Sequence, residues 1–190
     1  QSAANNTLNI SNGATLSGVV GATAAQSHGF GIVAFGGNGT VSGAVGNGSA
    51  DPFGVTVATG ATGAFTSTVN LTGNVTLSGT GNLSFSNTTG IGGVVSVANG
   101  TATFTGAVTS TAGSVVASTS GNGTLVIGAG AATNFTTASI GNGTNSIGTV
   151  TLNTTGTATV DGTGATMLNA TTTNFAADGT LLFSGAAPTI

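Results

Sequence analysis

Residues 148–162 read GTVTLNTTGTATVDG, and the fold of the whole chain turns on how this stretch is read. Val150, Leu152, Ala158 and Val160 fall at every second position, with Thr and Asn between them. Alternation at period two is the signature of a strand with one face buried, and no window of the chain sustains a helical period. Asn-Gly pairs beginning at Asn12, Asn38, Asn47, Asn99, Asn122 and Asn142 punctuate the sequence at short intervals, so the expected strands are short and the turns frequent. The class predicted is all-β.

The same stretch has counterparts elsewhere in the chain. It lines up with GVVSVANGTATFTG (93–106), GVTVATGATGAFTS (54–67) and TLNISNGATLSG (7–18). Each leads on to a closing strand: DGTLLF (178–183), NGTLVI (122–127), TGNLSF (80–85) and GFGIVAF (29–35). VSGAVGNG (41–48) and TTASIGNG (136–143) form a further shared element. The reading is one repeat domain over 1–190, with degenerate copies at about 7–35, 54–85, 93–127 and 148–183. A single copy is too small to bury its own apolar face, so neighbours must stack, and extra residues can leave as loops. With roughly 20 residues per coil and coils about 4.8 Å apart, about nine coils make a rod of around 40 Å. Val, Ile, Leu and Phe fill its interior, and Thr, Ser and Asn face outward. A β-sandwich completed by a strand donated from a neighbour, with TLNI (7–10) or TLLF (180–183) as donor, is the alternative architecture.

SIGNGTNSIGTVTLNTTGTATVDG (139–162), TTTNFAADGTLLFSG (171–185) and IVAFGGNGTVSGAVGNG (32–48) resemble the passenger repeats of rickettsial and related alphaproteobacterial outer-membrane autotransporters, the surface cell antigens. The resemblance covers most of residues 29–185. It implies a secreted, surface-exposed, right-handed parallel β-helix serving adhesion or surface coating. This chain departs from that pattern in carrying no Lys.

Composition narrows the chemistry further. Of 190 residues only 2% are charged; there is no Lys, Arg or Cys, the net charge is −3, and 35 residues are Gly. Ser and Thr supply 56 positions, so polarity rests on hydroxyls and amides. A chain without cations cannot neutralise phosphates, which argues against nucleic acid and anionic lipid surfaces as partners. No run approaches the roughly 18 apolar residues of a membrane helix, and a lipid-facing barrel would lack its aromatic girdles, because Trp and Tyr are absent. Membrane insertion is therefore not expected. Mean hydropathy of +0.42 with low charge argues for a folded or assembled chain. The opening QSAANN, with neither initiator Met nor basic and apolar leader, fits a secreted chain after signal-peptide removal or one trimmed at its N-terminus.

Candidate sites are few. His28, in AQSHGFG, has no acid within twenty residues to orient it as a base and reads as a loop residue. Asp51 precedes Pro52, while Asp161 and Asp178 each precede Gly, so all three acids read as turn residues rather than as a hydrolytic carboxylate pair or a calcium ladder. Gly-rich pieces such as GFGIVAFGG lack the helix and Lys of a phosphate loop. No catalytic, cofactor-binding or metal-binding residue is expected, and the chain reads as a non-enzyme.

Fourteen of the 18 Asn begin an Asn-x-Ser/Thr triplet, against about five expected by chance. Asn38, Asn70, Asn74, Asn99, Asn122 and Asn142 are the candidate N-glycosylation sites, although strand alternation also generates such triplets without any sugar. TATF, TATV and TVTL carry the Thr-x-Thr spacing found on ice-binding solenoids, but along the sequence the motif is sporadic.

Edges point to the function expected. A β-rod with no Lys, only Pro52 and Pro188, and little charge guards its exposed strands weakly, so copies of itself are the expected partner. The expectation is a secreted or cell-surface structural subunit building a filament, sheath or surface layer. An adhesin passenger binding a host or neighbouring-cell surface is the alternative, and ice binding a minor one.

Overall fold

The computed structural model describes residues 6–21, 31–46, 51–108, 114–128, 132–162 and 167–184. His28, Asn47 and Pro188 lie outside them. The chain winds as a parallel β-solenoid of about seven turns. Its successive coils hold β1 (Thr7–Ile10) and β2 (Ala14–Leu16); β3 (Ile32–Phe35) and β4 (Gly39–Val41); β5 (Gly54–Val57), β6 (Thr62–Phe65) and β7 (Val69–Leu71); and β8 (Val75–Leu77), β9 (Asn82–Phe85) and β10 (Thr89–Ile91). Next come β11 (Val95–Val97) and β12 (Thr101–Phe104); β13 (Val115–Ala117), β14 (Asn122–Ile127) and β15 (Phe135–Thr137); β16 (Ile147–Leu152) and β17 (Thr157–Val160); and finally β18 (Ala170–Phe175) and β19 (Thr180–Phe183).

These strands form three faces. The first runs β1-β3-β5-β8-β11-β13 and is continued by single bridges through Ile140 and Leu168. The second is the longest, an eight-stranded sheet in the order β2-β4-β6-β9-β12-β14-β16-β18. The third joins β7-β10 to β15-β17-β19 through Val108, and extends backward through Val45 to Val20. Every pairing among the described strands is parallel, which removes the strand-donated sandwich, an antiparallel architecture.

Stacked coils place like residues over like. Val41, Phe65, Phe85, Phe104, Ile127 and Leu152 form one inward row on the second face, all essentially inaccessible to solvent. Five phenylalanines make a continuous aromatic column that changes face as it climbs. Phe35 stands on the first face, Phe65, Phe85 and Phe104 on the second, and Phe135 on the third. Their ring centroids are 5.4, 5.3, 4.9 and 5.3 Å apart in turn. One buried ring per coil fills the cross-section regardless of which side supplies it, which is why the column can wander.

Coil length is uneven. Thr7 pairs with Ile32 and Val75 with Val95, while Ile140 bridges to Leu168, so a coil takes from 20 to 28 residues on the first face alone. The sequence copies do not all start on the same face either. Residues 7–18, 54–67 and 93–106 run from the first face to the second, whereas 148–162 runs from the second to the third. The shared element behaves alike: Val45 sits on the third face and Ile140 on the first, each followed by a glycine of positive φ, 68° at Gly46 and 73° at Gly141. The self-similarity is therefore of strand, corner and strand, and it is indifferent to face.

Asparagine explains much of how the corners hold. A corner N–H that leaves the ladder needs an acceptor, and Asn supplies one from the neighbouring coil. The Asn38 main-chain N–H donates to Asn12 Oδ1 (3.2 Å), Thr62 N–H to Asn38 Oδ1 (2.9 Å), and Val94 N–H to Asn74 Oδ1 (2.8 Å). Thr101 N–H donates to Asn82 Oδ1 at 2.9 Å and Thr157 N–H to Asn134 Oδ1 at 3.2 Å. No buried side-chain polar atom among the described residues lacks a partner.

The corner between the second and third faces is stitched by buried threonines. Thr133 Oγ1 donates to the Thr105 carbonyl (2.9 Å), and Thr154 Oγ1 donates to the Thr133 carbonyl (3.1 Å). Thr154 Oγ1 also accepts from the N–H groups of Thr133 (2.8 Å) and Gly156 (2.9 Å). Thr154→Val keeps the shape but takes the acceptor from two N–H groups, the buried one of Thr133 and the half-buried one of Gly156, and is expected to destabilise the chain by about 2 kcal/mol. Chemical denaturation followed by far-UV circular dichroism checks this; a loss below about 0.5 kcal/mol would show the hydroxyl to be dispensable.

Candidate functional site

Among the described residues nothing gathers the chemistry-bearing side chains into one place. Asp51 is 8% exposed and precedes β5; Asp161 is half-buried after β17, with its N–H donating to the Thr137 carbonyl (3.0 Å); Asp178 is exposed at the corner between β18 and β19. The three acids occupy different levels of the rod. No group of three or more His, Asp or Glu able to hold a metal occurs among the described residues. In GFGIVAFGG the described part, from Gly31 onward, is strand β3 followed by a tight turn into β4, without the helix that a phosphate loop requires.

The six candidate glycosylation sites sit on the outside of the rod or at its corners. Asn38, Asn74 and Asn99 are exposed; Asn70, Asn122 and Asn142 are half-buried. Asn142 folds back on its own turn, its Oδ1 accepting from the N–H groups of Thr144 (2.9 Å) and Asn145 (2.7 Å). Asn38 and Asn74 hold the coil beyond them, as described above. Sequence reading found these Asn by their triplets and missed that the amide oxygens of Asn38 and Asn74 join coils.

Two kinds of surface remain. The first is the pair of terminal coils. Phe175 continues the inward row of the second face, pairing with Leu152, yet it is 58% exposed because no described coil covers it. At the other end Leu8, which pairs with the buried Val33, is 38% exposed. Beside it an open cavity of about 310 Å³ is lined by Leu8, Val20, Ile32, Val33 and Pro52, among others. The edge strands β1, β2, β18 and β19 contain neither proline nor any ionisable residue. The second kind of surface is the outward side of each face, where Thr, Ser and Asn alternate with the buried row.

Fold and surfaces together define a three-faced parallel β-solenoid with a thin apolar interior and uncharged hydroxyl-rich sides. Comparison of the chain with protein-family models, with curated proteins and with solved structures finds no match to any of them. No helix among the described residues is long and apolar enough to cross a membrane.

Proposed function

We propose that this chain is a secreted structural subunit that stacks end to end, extending its coil from one copy into the next to build a filament, sheath or surface layer. The observation that carries this reading is the state of the terminal coils. Inward-row residues stand open at opposite ends, Leu8 at one and Phe175 at the other, on edge strands that contain no Lys, Pro or charged residue to repel a strand. Two different ends that match each other form a head-to-tail contact, and such a contact gives an open filament when it does not close into a ring. Parallel pairing of β18 with β2 of the next copy would satisfy both rows of backbone groups and cover Phe175.

The test is electron microscopy and sedimentation of the purified chain over a range of concentrations. Fibres are expected, with an axial repeat of about 38 Å from eight levels spaced about 4.8 Å apart. Phe175→Lys places a charge in the joint and is expected to leave a folded monomer with unchanged far-UV dichroism. A native chain that stays monomeric at high concentration overturns the proposal. The receptor-binding passenger implied by the sequence resemblance would then be the reading to pursue.

A further inference from the structure

The outward side of the second face carries an array that the sequence conceals. Following the strand register, Thr101, Thr124, Thr149 and Thr172 stand one above another on four successive coils. A second row lies two residues along each strand, and there Thr103, Val126 and Thr151 align in the same way. Thr15 and Thr40 begin this second row at the other end, Ala64 and Ser84 carry it up to Thr103, and Asn174 follows Thr151. Thr-x-Thr, sporadic along the chain, becomes a two-row lattice once uneven coils bring it into register. On the first face the strands are three or four residues long: one outward row passes through Thr56, Thr76 and Ser96, and a second position, Thr7, Ile32 and Gly54, is shared by β1, β3 and β5 alone and carries a single hydroxyl.

We propose that this side of the second face binds ice. Its rows repeat at about 4.8 Å along the rod and at about 6.8 Å, two residues, along the strand, spacings comparable to those between oxygen atoms on a prism plane of hexagonal ice. Threonine suits the task twice over. Its branching restricts χ1, so the methyl and hydroxyl are held in place before contact, and its hydroxyl both donates and accepts, as lattice water does. Val126 interrupts the hydroxyls but keeps the branched shape, whereas Ala64 leaves one position bare and Asn174 puts an amide at the end of the row, so the full two-row lattice spans β12, β14 and β16.

The charge of the face selects the occupant. Neither row contains an ionisable or aromatic residue, and Asp51, Asp161 and Asp178 all lie off the strands of this sheet. A protein partner would want aromatic or Arg anchors, and phosphate polymers would want cations. A neutral, rigid, two-dimensional lattice of donors and acceptors is what an uncharged, regular hydroxyl array complements. Behind the array the buried inward row of Phe104, Ile127 and Leu152 packs the sheet from within, so little ordering cost remains on contact. The inference does not rest on filament formation, because one copy already presents the rows.

Thermal hysteresis and ice-recrystallisation assays test it, run on the Phe175→Lys chain so that assembly plays no part. Ice shaping and a measurable hysteresis are expected. Thr124→Lys with Thr149→Lys should abolish both, Thr124→Val should retain them, and Thr76→Lys on the first face should leave them unchanged, with matching far-UV dichroism throughout. The proposal is overturned if the parent chain neither shapes ice nor slows its recrystallisation, or if Thr76→Lys is as damaging as the double change. It is equally overturned if the chain ignores ice but is retained by microcrystalline cellulose or chitin, which would assign the rows to a crystalline polysaccharide.

Discussion

Replacing Phe85 with alanine is expected to lower the unfolding free energy by about 4 kcal/mol, the range for deleting a fully buried aromatic ring. The cause is its place in the aromatic column. Phe85 is inaccessible to solvent and lies nearly parallel between Phe65, 5.3 Å away at 10°, and Phe104, 4.9 Å away at 6°. Stacked pairs contribute about 1 kcal/mol each beyond area burial, so the alanine variant loses two such contacts and leaves a void that a stiff rod cannot close. Phe85→Leu refills part of the volume and should cost less than half as much. Leu182→Ala, at an outward position 46% exposed, should change stability by no more than about 0.5 kcal/mol. Urea titration followed by far-UV dichroism is the measurement, since the chain has neither Trp nor Tyr to report by fluorescence. Equal losses for Phe85→Ala and Leu182→Ala would mean that the column does not hold the coils together.

Gly100→Ala is expected to be at least as severe, beyond about 4 kcal/mol. A Cβ at this position would overlap the Gly81 carbonyl oxygen and lie 2.7 Å from its carbon, both backbone atoms of the coil below. No rotamer relieves that overlap. The corner must lift, and lifting it pulls on the hydrogen bond from Thr124 N–H to the Gly100 carbonyl, 2.9 Å long. Gly143 supplies the control. It stands in the same Asn-Gly-Thr triplet, but a Cβ there meets nothing within 4 Å, so Gly143→Ala should stay within about 0.5 kcal/mol of the parent. If both substitutions prove neutral, the close stacking of corners is wrong.

Those two glycines also mark how far the sequence could be read. Strand period, turn density and the need for stacking were legible in residues such as Val150, Leu152, Ala158 and Val160, because alternation is a local property. The two Asn-Gly-Thr triplets are identical as text, and only the coil beneath separates them. Register was hidden for the same reason. Thr101, Thr124, Thr149 and Thr172 are separated by unequal lengths of chain, so no fixed period reveals that they share a row. The wandering of Phe35 and Phe135 off the second face was equally silent, since a buried ring looks alike from every side of a thin core. Copies spaced by about two coils were visible, whereas the single coil was not, because its three sides are too similar in sequence to show where one circuit closes.

That similarity bears on how such a chain can lengthen and change. If a bent pair of strands fits any side of the prism, duplication or loss of genetic material need not occur in whole circuits. A gain of one side merely rotates everything downstream by a third of a revolution, and hydrophobic residues still arrive at the axis. The displaced phase of residues 148–162 relative to 93–106 is what such an event would leave behind. Frame-preserving insertions of a single side should therefore be tolerated far more often here than in folds whose layers are not interchangeable.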